Sequence, residues 1–405
     1  MNHLAINGGS PVRSTPFPRW PEHDERERDR LLAVLESGQW WATEGHVTRD
    51  FEQAWGAFHG TGPAVACTNG THAIELLLMA NGIGEGDEVI VPAWSFLATM
   101  SAVLMVNATP VLVDVDPRTG CIDPQLADAA VTERTRAVLA VHIAGHPADM
   151  TALAEICRRH GLALLEDCAH AHGSTWQDQP VGTFGHGGSF SFQASKLMTA
   201  GEGGAVISPD GDILEQVRSY ANCGRRPGEW FYSHYVLGGN YRMTEWQAAV
   251  LLAQLDRFPE QQQRRNANSL WLNDELAKIP GVSPQYRDPR TTSQGNYCYV
   301  VMVDPSAFGA SREQVRLALV AEGIPLTMSY PPLHQLDVFA DAEALAPRYR
   351  TPGKFRGTEL PVTEHLAATS LWFKTSVLMG DRRDAQDVVD AVAKVAAHAR
   401  ELRDE

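Results

Sequence analysis

Short apolar runs alternate with amphipathic segments between residues 64 and 167, and this alternation constrains the fold more than any other feature of the chain. The runs lack the regular polar alternation of a strand that faces water on one side. They are E-V-I-V at 88–91, P-V-L-V at 110–113, A-V-L-A-V at 137–141 and L-A-L-L at 162–165. The segments between them predict helices near 71–81, 95–106 and 149–159. Strands that alternate with helices predict an α/β fold with a doubly wound, mostly parallel sheet.

The stretch 89–113 of this region has no charged residue and would be long enough to cross a bilayer. Prolines and polar side chains interrupt it: Pro92, Ser95, Ser101, Asn107, Thr109 and Pro110. Because such residues divide the stretch into strand, loop, helix and strand, we expect buried structure here and no membrane span.

Charge and cysteine content limit the partners and the compartment. The formal net charge is −15 at pH 7 and the sequence has no run rich in lysine or arginine, so we expect neither nucleic acid nor an anionic membrane surface as a partner. The six cysteines form no C-x-x-C pair, as is usual for reduced thiols. The N-terminal residues M-N-H-L-A-I-N-G-G-S-P lack the basic and apolar regions of a signal peptide. We therefore expect a cytoplasmic protein.

A chain of 405 residues predicts two domains. We expect a large α/β domain at 1–258, which begins with a helical arm, and a smaller α+β domain at 259–405. Two helices, at 244–255 and 259–276, are expected to lead out of the large domain. The smaller domain is expected to contain a strand at 297–303, helices near 311–322 and 384–401, and the loop Y-P-P-L-H at 330–334.

Lys196 is the candidate catalytic residue. It lies in S-F-Q-A-S-K-L-M-T-A-G-E-G-G at 191–204, downstream of E-D-C-A-H-A-H-G at 166–173. Apolar neighbours on both sides predict partial burial and a lowered pKa of the amine, whereas an isolated lysine is usually a solvated surface charge. A lysine amine can bind the aldehyde of pyridoxal 5′-phosphate (PLP) as a Schiff base, and a carboxylate such as Asp167 can keep the pyridine nitrogen protonated. The two segments therefore predict a PLP enzyme.

A phosphate site is predicted in T-N-G-T-H-A-I-E-L at 68–76, which joins a strand to a helix. Gly70 and Thr71 could offer backbone N–H groups and a hydroxyl to a phosphate at the helix N-terminus. A simple helix cap at Thr71 is the more common arrangement when such a motif stands alone. Ser191 could supply a further hydroxyl.

Two residues are candidates for contacts with the cofactor ring. Trp94 follows a strand end, where its ring could stack on a planar cofactor, although a core tryptophan is an equally good explanation. His170 follows Asp167 closely, and its imidazole could approach the hydroxyl of the cofactor. A helix cap is the alternative role for Asp167.

No metal site is expected. His142, His146 and Asp149 lie close together in H-I-A-G-H-P-A-D and superficially suggest a metal site. Beyond the two histidines, however, no third strong ligand has a clear spacing. We expect the two histidines to be loop residues that face the pocket.

Together the motifs resemble those of the DegT-type (StrS) aminotransferases, which act on nucleotide-linked keto-sugars and cyclitols. The resemblance spans nearly the whole chain and rests on T-N-G-T-H-A, E-D-C-A-H-A-H-G, S-F-Q-A-S-K-L-M-T-A-G-E-G-G and G-G-N-Y-R-M-T-E-W-Q-A-A at 238–249. It implies a PLP fold type I (aspartate aminotransferase-like) homodimer with two active sites at the subunit interface.

The resemblance also implies a role for each candidate residue. Lys196 would hold the cofactor covalently and shuttle protons, Asp167 would pair with the pyridinium, and His170 would contact the ring hydroxyl. The remaining cofactor contacts would be Gly70, Thr71 and Ser191 at the phosphate, Trp94 on the ring, and Asn240 at the phosphate of the neighbouring subunit.

Further segments resemble the branch that contains inosose aminotransferases and 3-amino-5-hydroxybenzoate synthases. They are G-Q-W-W at 38–41, T-A-G-E-G-G at 199–204 and S-L-W-F-K at 370–374. The synthases often carry histidines where this chain has Phe373 and Lys374, which argues against an aromatising reaction. The expected substrate contacts are Trp41, Tyr330, His334 and Lys374.

The implied reaction is a ping-pong transfer of the amino group of L-glutamate or L-glutamine to a keto-sugar or ketocyclitol, in antibiotic or other secondary-metabolite biosynthesis. One alternative is a dehydrating, aromatising enzyme similar to 3-amino-5-hydroxybenzoate synthase. The other is a PLP-binding sensor without turnover.

Overall fold

The computed structural model describes residues 3–339 and 359–402. The helices are α1 (Glu25–Ser37), α2 (Val47–Phe58), α3 (Gly70–Ala80), α4 (Leu97–Met105), α5 (Pro124–Ala129), α6 (Met150–His160), α7 (Gly211–Ala221), α8 (Glu245–Leu276), α9 (Pro305–Phe308), α10 (Arg312–Ala321), α11 (Pro361–Thr369) and α12 (Arg382–Ala397). The strands are β1 (Val65–Cys67), β2 (Glu88–Pro92), β3 (Thr109–Val113), β4 (Thr135–Val141), β5 (Ala163–Asp167), β6 (Thr175–Trp176), β7 (Gln179–Pro180), β8 (Gly187–Ser191), β9 (Gly204–Ile207), β10 (Val282–Pro284), β11 (Thr291–Ser293), β12 (Cys298–Val303), β13 (Leu326–Thr327) and β14 (Ser370–Lys374).

Seven strands form one large sheet in the order β1-β9-β8-β5-β4-β2-β3. Strands β3, β2, β4, β5 and β8 are parallel to one another, and β9 runs antiparallel to both β8 and β1. The predicted apolar runs correspond to β2, β3, β4 and β5, and the predicted helices between them correspond to α3, α4 and α6. The α/β prediction is therefore confirmed, and the carboxyl ends of the parallel strands meet at one edge of the sheet.

The uncharged stretch 89–113 folds into most of β2, all of α4 and all of β3, as expected. None of the helices within the two described ranges combines the length and the apolar composition that a membrane span requires.

Helix caps determine where the chain turns at the carboxyl edge of the sheet. The side chain of Asn69 accepts a hydrogen bond from the backbone N–H of His72 and begins α3. The side chain of Asp149 accepts one from the N–H of Ala152 and begins α6. A cap of this kind satisfies one of the N–H groups that a helix leaves without an internal partner.

Helix α8 is one continuous helix of 32 residues where the sequence predicts two. Pro259 lies inside it, although proline lacks the N–H of a helical residue and its ring crowds the preceding turn. The helix persists because it is held on several sides: Phe258 and Leu272 are completely buried, and Arg257 forms an ion pair with Glu27 of α1. Packing of this kind outweighs the local preference. The domain boundary predicted after residue 258 therefore falls inside a helix.

The C-terminal unit contains an antiparallel sheet in the order β10-β12-β14-β13. The first residues of the chain pack on this unit rather than on the large sheet. Leu4 is completely buried in its core, and the Glu322 carboxylate accepts hydrogen bonds from the backbone N–H groups of Ala5 (2.8 Å) and Val12 (2.9 Å). Lys394 donates to the same carboxylate at 2.8 Å. The N-terminal end of the range 1–258 is thus part of the C-terminal core.

Candidate active site

A cavity of about 690 Å³ opens at the carboxyl edge of the large sheet. Its wall is formed by the first turns of α3, the segment between β2 and α4, the ends of β5 and β8, the loop after β8, and the tyrosines that precede β12 and follow β13. Ligands of α/β proteins bind in this position, beyond the carboxyl ends of the strands. The cavity brings together the following predicted residues: Gly70, Thr71, Asp167, His170, Ser191, Lys196 and Tyr330.

Lys196 is a buried lysine without a fixed partner. Its side chain lines the cavity, the residue is only 8% exposed, and Nζ has no hydrogen-bond partner among the described residues. Burial lowers the pKa of the Lys196 amine to about 8, and the Asp167 carboxylate opposes part of this shift. An amine with a lowered pKa is neutral in a larger fraction of molecules and is therefore a better nucleophile.

Asp167 is the last residue of β5 and is held in one orientation. One carboxylate oxygen, Oδ2, accepts a hydrogen bond from Thr99 Oγ1 at 2.8 Å, and the other accepts from the backbone N–H of Ala169 at 3.1 Å. Thr99 is itself hydrogen-bonded to Ser95 at 2.7 Å. Each carboxylate oxygen keeps a lone pair for a further donor, which a protonated pyridine nitrogen would provide.

The start of α3 and the end of β8 approach each other so closely that only glycine fits at position 70. A Cβ atom at Gly70 would lie 2.6 Å from Cβ of Ser191. The absence of this atom leaves the N-terminal N–H groups of α3 and the side chains of Thr71 and Ser191 along the cavity wall. A helix N-terminus with flanking hydroxyls is a favourable phosphate site. The residues present therefore fit the phosphate of PLP as well as its aldehyde and its pyridine nitrogen.

His170 lines the cavity, but both of its ring nitrogens have protein partners. Nδ1 accepts a hydrogen bond from the backbone N–H of Ala144 at 3.3 Å, and Nε2 lies 3.1 Å from the Tyr330 hydroxyl. Burial lowers the pKa of the imidazole well below its ordinary value, so the ring is neutral. For the expected contact with the cofactor hydroxyl, His170 would have to give up its hydrogen bond to the Tyr330 hydroxyl and bind the cofactor instead.

The stacking role predicted for Trp94 is wrong. Its ring is 1% exposed, packs edge-on against Trp372, and donates through Nε1 to the backbone carbonyl of Tyr330 at 3.0 Å. A buried indole needs an acceptor for its N–H, and here the Tyr330 carbonyl holds the Trp94 ring inside the core, away from the cavity. Phe96 lines the cavity instead and is 55% exposed. The sequence signal for Phe96 is its position directly before α4, where the chain leaves the strand.

The other predicted residues lie outside the cavity wall of this chain. His334 is buried and is hydrogen-bonded to Glu364 at 2.9 Å, and Lys374 is exposed at the end of β14. Neither contacts the cavity, so the structure does not support them as substrate contacts from the same subunit. Trp41 packs near Arg242, and Asn240 is exposed. The roles of Trp41 and Asn240 remain predictions.

His142 and His146 do not face the cavity, contrary to expectation. His142 is fully buried, lies 3.1 Å from Glu166 and accepts from the N–H of Ala148. Glu166 also accepts from the backbone of the loop between β7 and β8, at 2.7 and 2.9 Å. His146 is buried and accepts from the backbone N–H of Asp288 at 3.2 Å. Glu166 and Asp288 are distant in sequence from the two histidines, and these contacts hold loops together in the core.

Tyr297 is a cavity residue that the sequence does not single out. Its ring is stacked on His170 with centroids 4.0 Å apart, and it lies 4.5 Å from Nζ of Lys196. Its hydroxyl is 2.8 Å from Ser195 Oγ. No local motif marks it, because it reaches the site from the position directly before β12 of the C-terminal sheet.

A mixed seven-stranded sheet that carries a buried lysine opposite a strand-end carboxylate is the arrangement of the fold type I aminotransferases, and the protein is an enzyme of this class. More narrowly, the chain belongs to the DegT/DnrJ/EryC1/StrS aminotransferase family, whose model matches residues 21–393.

Individual relatives agree with this membership and with the predicted branch. The chain is 40% identical over 425 residues to an L-glutamine:2-deoxy-scyllo-inosose aminotransferase of Streptoalloteichus tenebrarius, with 99% of each chain covered. It is 38% identical to a 3-amino-5-hydroxybenzoate synthase of Amycolatopsis mediterranei, with 96% of this chain and 100% of the relative covered. A crystal structure of a 3-amino-5-hydroxybenzoic acid synthase superposes with a TM-score of 0.86 at 37% identity, covering 95% of this chain and 100% of the other.

Proposed function

We propose that this chain binds PLP in the cavity and transfers the amino group of L-glutamine to a ketocyclitol of the scyllo-inosose type. The observation that carries the proposal is the buried Lys196 amine, which shares one cavity with the Asp167 carboxylate and with the N-terminus of α3. The choice of donor and acceptor rests on the names of relatives that match almost the whole chain.

PLP, when bound, supplies an electron-withdrawing ring that stabilises negative charge on a substrate carbon. Asp167 would hold a proton at the pyridine nitrogen, because its carboxylate is fixed by Thr99 and keeps free lone pairs. Gly70, Thr71 and Ser191 would bind the phosphate and so orient the ring. Lys196 Nζ would take the proton from the carbon that bears the donor amine and would deliver a proton to the acceptor carbon in the second half-reaction.

A polyhydroxylated acceptor requires hydrogen-bonding groups on the cavity wall. The Tyr330 hydroxyl is the predicted substrate contact that the geometry supports, and Tyr297 adds a second phenol beside it. The proposal assigns no role in the same subunit to His334 or Lys374.

We also propose that the enzyme is a homodimer. The loop between α7 and α8 exposes large aromatic side chains, with Trp230 at 72% and Tyr232 at 66% exposure, and a monomer rarely leaves such groups in water. Asn240 lies in the same loop and would reach the phosphate in the partner subunit. Light scattering should give twice the mass of one chain, and Asn240→Ala should weaken PLP binding without changing the mass.

The cytoplasm is the proposed compartment. All six cysteines are free thiols and five of them are buried, which suits a reducing environment.

The function is tested by supplying the purified protein with PLP, L-glutamine and 2-deoxy-scyllo-inosose and measuring the aminocyclitol by mass spectrometry. Lys196→Ala is the control and should form no product. Amination of a nucleotide-linked keto-sugar but not of the ketocyclitol would overturn the proposed acceptor. An aromatic product with ultraviolet absorbance would identify a synthase, and PLP binding without any amino transfer would identify a sensor.

A further inference from the structure

We propose that Tyr297 is a positioning residue for Lys196 and His170, a role that builds on the proposed function. The phenol contacts both residues: its ring faces the Lys196 amine, and it is stacked on the imidazole of His170. Its hydroxyl is hydrogen-bonded to Ser195, the residue directly before Lys196.

The stack with His170 is close and nearly parallel. The ring centroids are 4.0 Å apart and the planes differ by 14°. Nζ of Lys196 lies 4.5 Å from the Tyr297 ring centroid, within the range in which an aromatic ring attracts a cation. The attraction is stronger in a desolvated site than at a surface.

The hydroxyl of Tyr297 is bonded to the segment that carries Lys196. Ser195 donates to the Gln193 side chain at 2.7 Å, so the Tyr297 hydroxyl is the donor in its 2.8 Å bond to Ser195. On the other side of the stack, Nδ1 of neutral His170 accepts from the backbone N–H of Ala144, so its proton is on Nε2, which donates to Tyr330.

Two contacts fix the state of His170. The backbone N–H of Ala144 holds the Nε2–H tautomer, and the stack with Tyr297 holds the ring plane. A phenylalanine at position 297 would keep the stack and lose only the bond to Ser195, whereas an aliphatic side chain would lose the stack.

Most groups that face Lys196 are neutral near pH 7. Burial lowers the pKa values of His170 and His172 well below the ordinary value, and it raises the pKa values of Cys298 and Tyr297 to about 12 and that of Tyr330 above its usual value. Asp167, from β5, is the charged group that favours the ammonium form. The ring of Tyr297 is therefore a major part of the environment that stabilises a proton on Lys196, which the proposed function requires between the two half-reactions.

The experiment uses the cofactor-free protein and measures the midpoint pH for acetylation of Lys196 by peptide mass spectrometry. The wild-type midpoint is expected near pH 8, from the lowered pKa of the amine. Tyr297→Leu should lower it by about one pH unit, because it removes the aromatic face. Tyr297→Phe keeps the face and should leave the midpoint almost unchanged.

Tyr299→Phe is the matched control, because Tyr299 lies two residues further along the same strand and its hydroxyl bonds to Asn273 at 2.8 Å, away from the cavity. This variant should match the wild-type midpoint. An unchanged midpoint in Tyr297→Leu, or an equal shift in Tyr297→Phe and Tyr297→Leu, would overturn the proposal. The measurement needs neither substrate nor cofactor, so an absence of transamination would overturn the proposed function and leave this result standing.

Discussion

Replacing Gly70 by alanine should weaken PLP binding much more than it changes the stability of the fold. The new Cβ would lie 2.6 Å from Cβ of Ser191 and 3.1 Å from its Oγ. Carbon atoms rest at about 3.5–4.0 Å, so the start of α3 and the end of β8 would have to separate by about 1 Å. Overpacking of this kind costs about 1–3 kcal/mol.

The cost should appear in binding, because the displaced groups are the predicted phosphate ligands. At about 1.4 kcal/mol for each factor of ten, the PLP dissociation constant should rise by about 5- to 150-fold. The free energy of unfolding should change less, because alanine is favoured over glycine in a helix by up to about 1 kcal/mol and offsets part of the strain.

The assay is a titration of the cofactor-free protein with PLP, followed by absorbance, together with thermal unfolding of each variant. Gly211→Ala is the matched control: Gly211 is the first residue of α7, as Gly70 is of α3, and a Cβ there meets no atom within 4 Å. Binding by Gly70→Ala within twofold of the wild type would refute the reasoning, and so would an equal loss in Gly211→Ala.

Three further predictions concern charge. The rate at which the cofactor-free protein captures PLP should rise with pH and level off above about pH 8, because the neutral Lys196 amine is the nucleophile and burial lowers its pKa to about 8; stopped-flow absorbance measures this, and a rate independent of pH would contradict it. Asp167→Asn should reduce kcat by about 10²–10³-fold in steady-state assays, because the amide carries no charge to hold the pyridine proton, and a wild-type rate would exclude this role. Glu322→Ala should reduce the free energy of unfolding by about 3–5 kcal/mol in urea titrations, because Lys394 loses its buried partner; a change below about 1 kcal/mol would be inconsistent with that ion pair.

The sequence predicts the large sheet well because its central strands are buried on both faces and therefore carry a continuous apolar signal. The sequence also predicts the position of cavity residues that belong to motifs at strand ends, such as Asp167 and Ser191. The direction of a parallel strand determines at which edge of the sheet its end lies. Lys196 follows from its apolar neighbours, which predict the burial that lowers the pKa of its amine.

The sequence fails where partners are distant along the chain. Local signals at Pro259 predict a break, but packing against elements on both sides keeps α8 continuous. Trp94 and Phe96 are both plausible ring contacts, and the acceptor for the Trp94 N–H, which decides between them, lies in the loop after β13. Tyr297 belongs to no recognisable motif. It lines the cavity only because the C-terminal unit packs against the unit that contains the large sheet.

The attachment of the N-terminal segment to the C-terminal core has a consequence for biosynthesis. The backbone of Leu4 is bonded to Glu401 at 3.2 Å and that of Ala5 to Glu322 at 2.8 Å, so Leu4 and Ala5, which are synthesised earlier, acquire these partners only after Glu401 and Glu322 have left the ribosome. The large sheet can assemble while the chain is still growing, since domains generally form as they emerge. Leu4 cannot be buried until the C-terminal core has been synthesised. Premature termination upstream of residue 401 would leave this apolar segment exposed to chaperones or to aggregation.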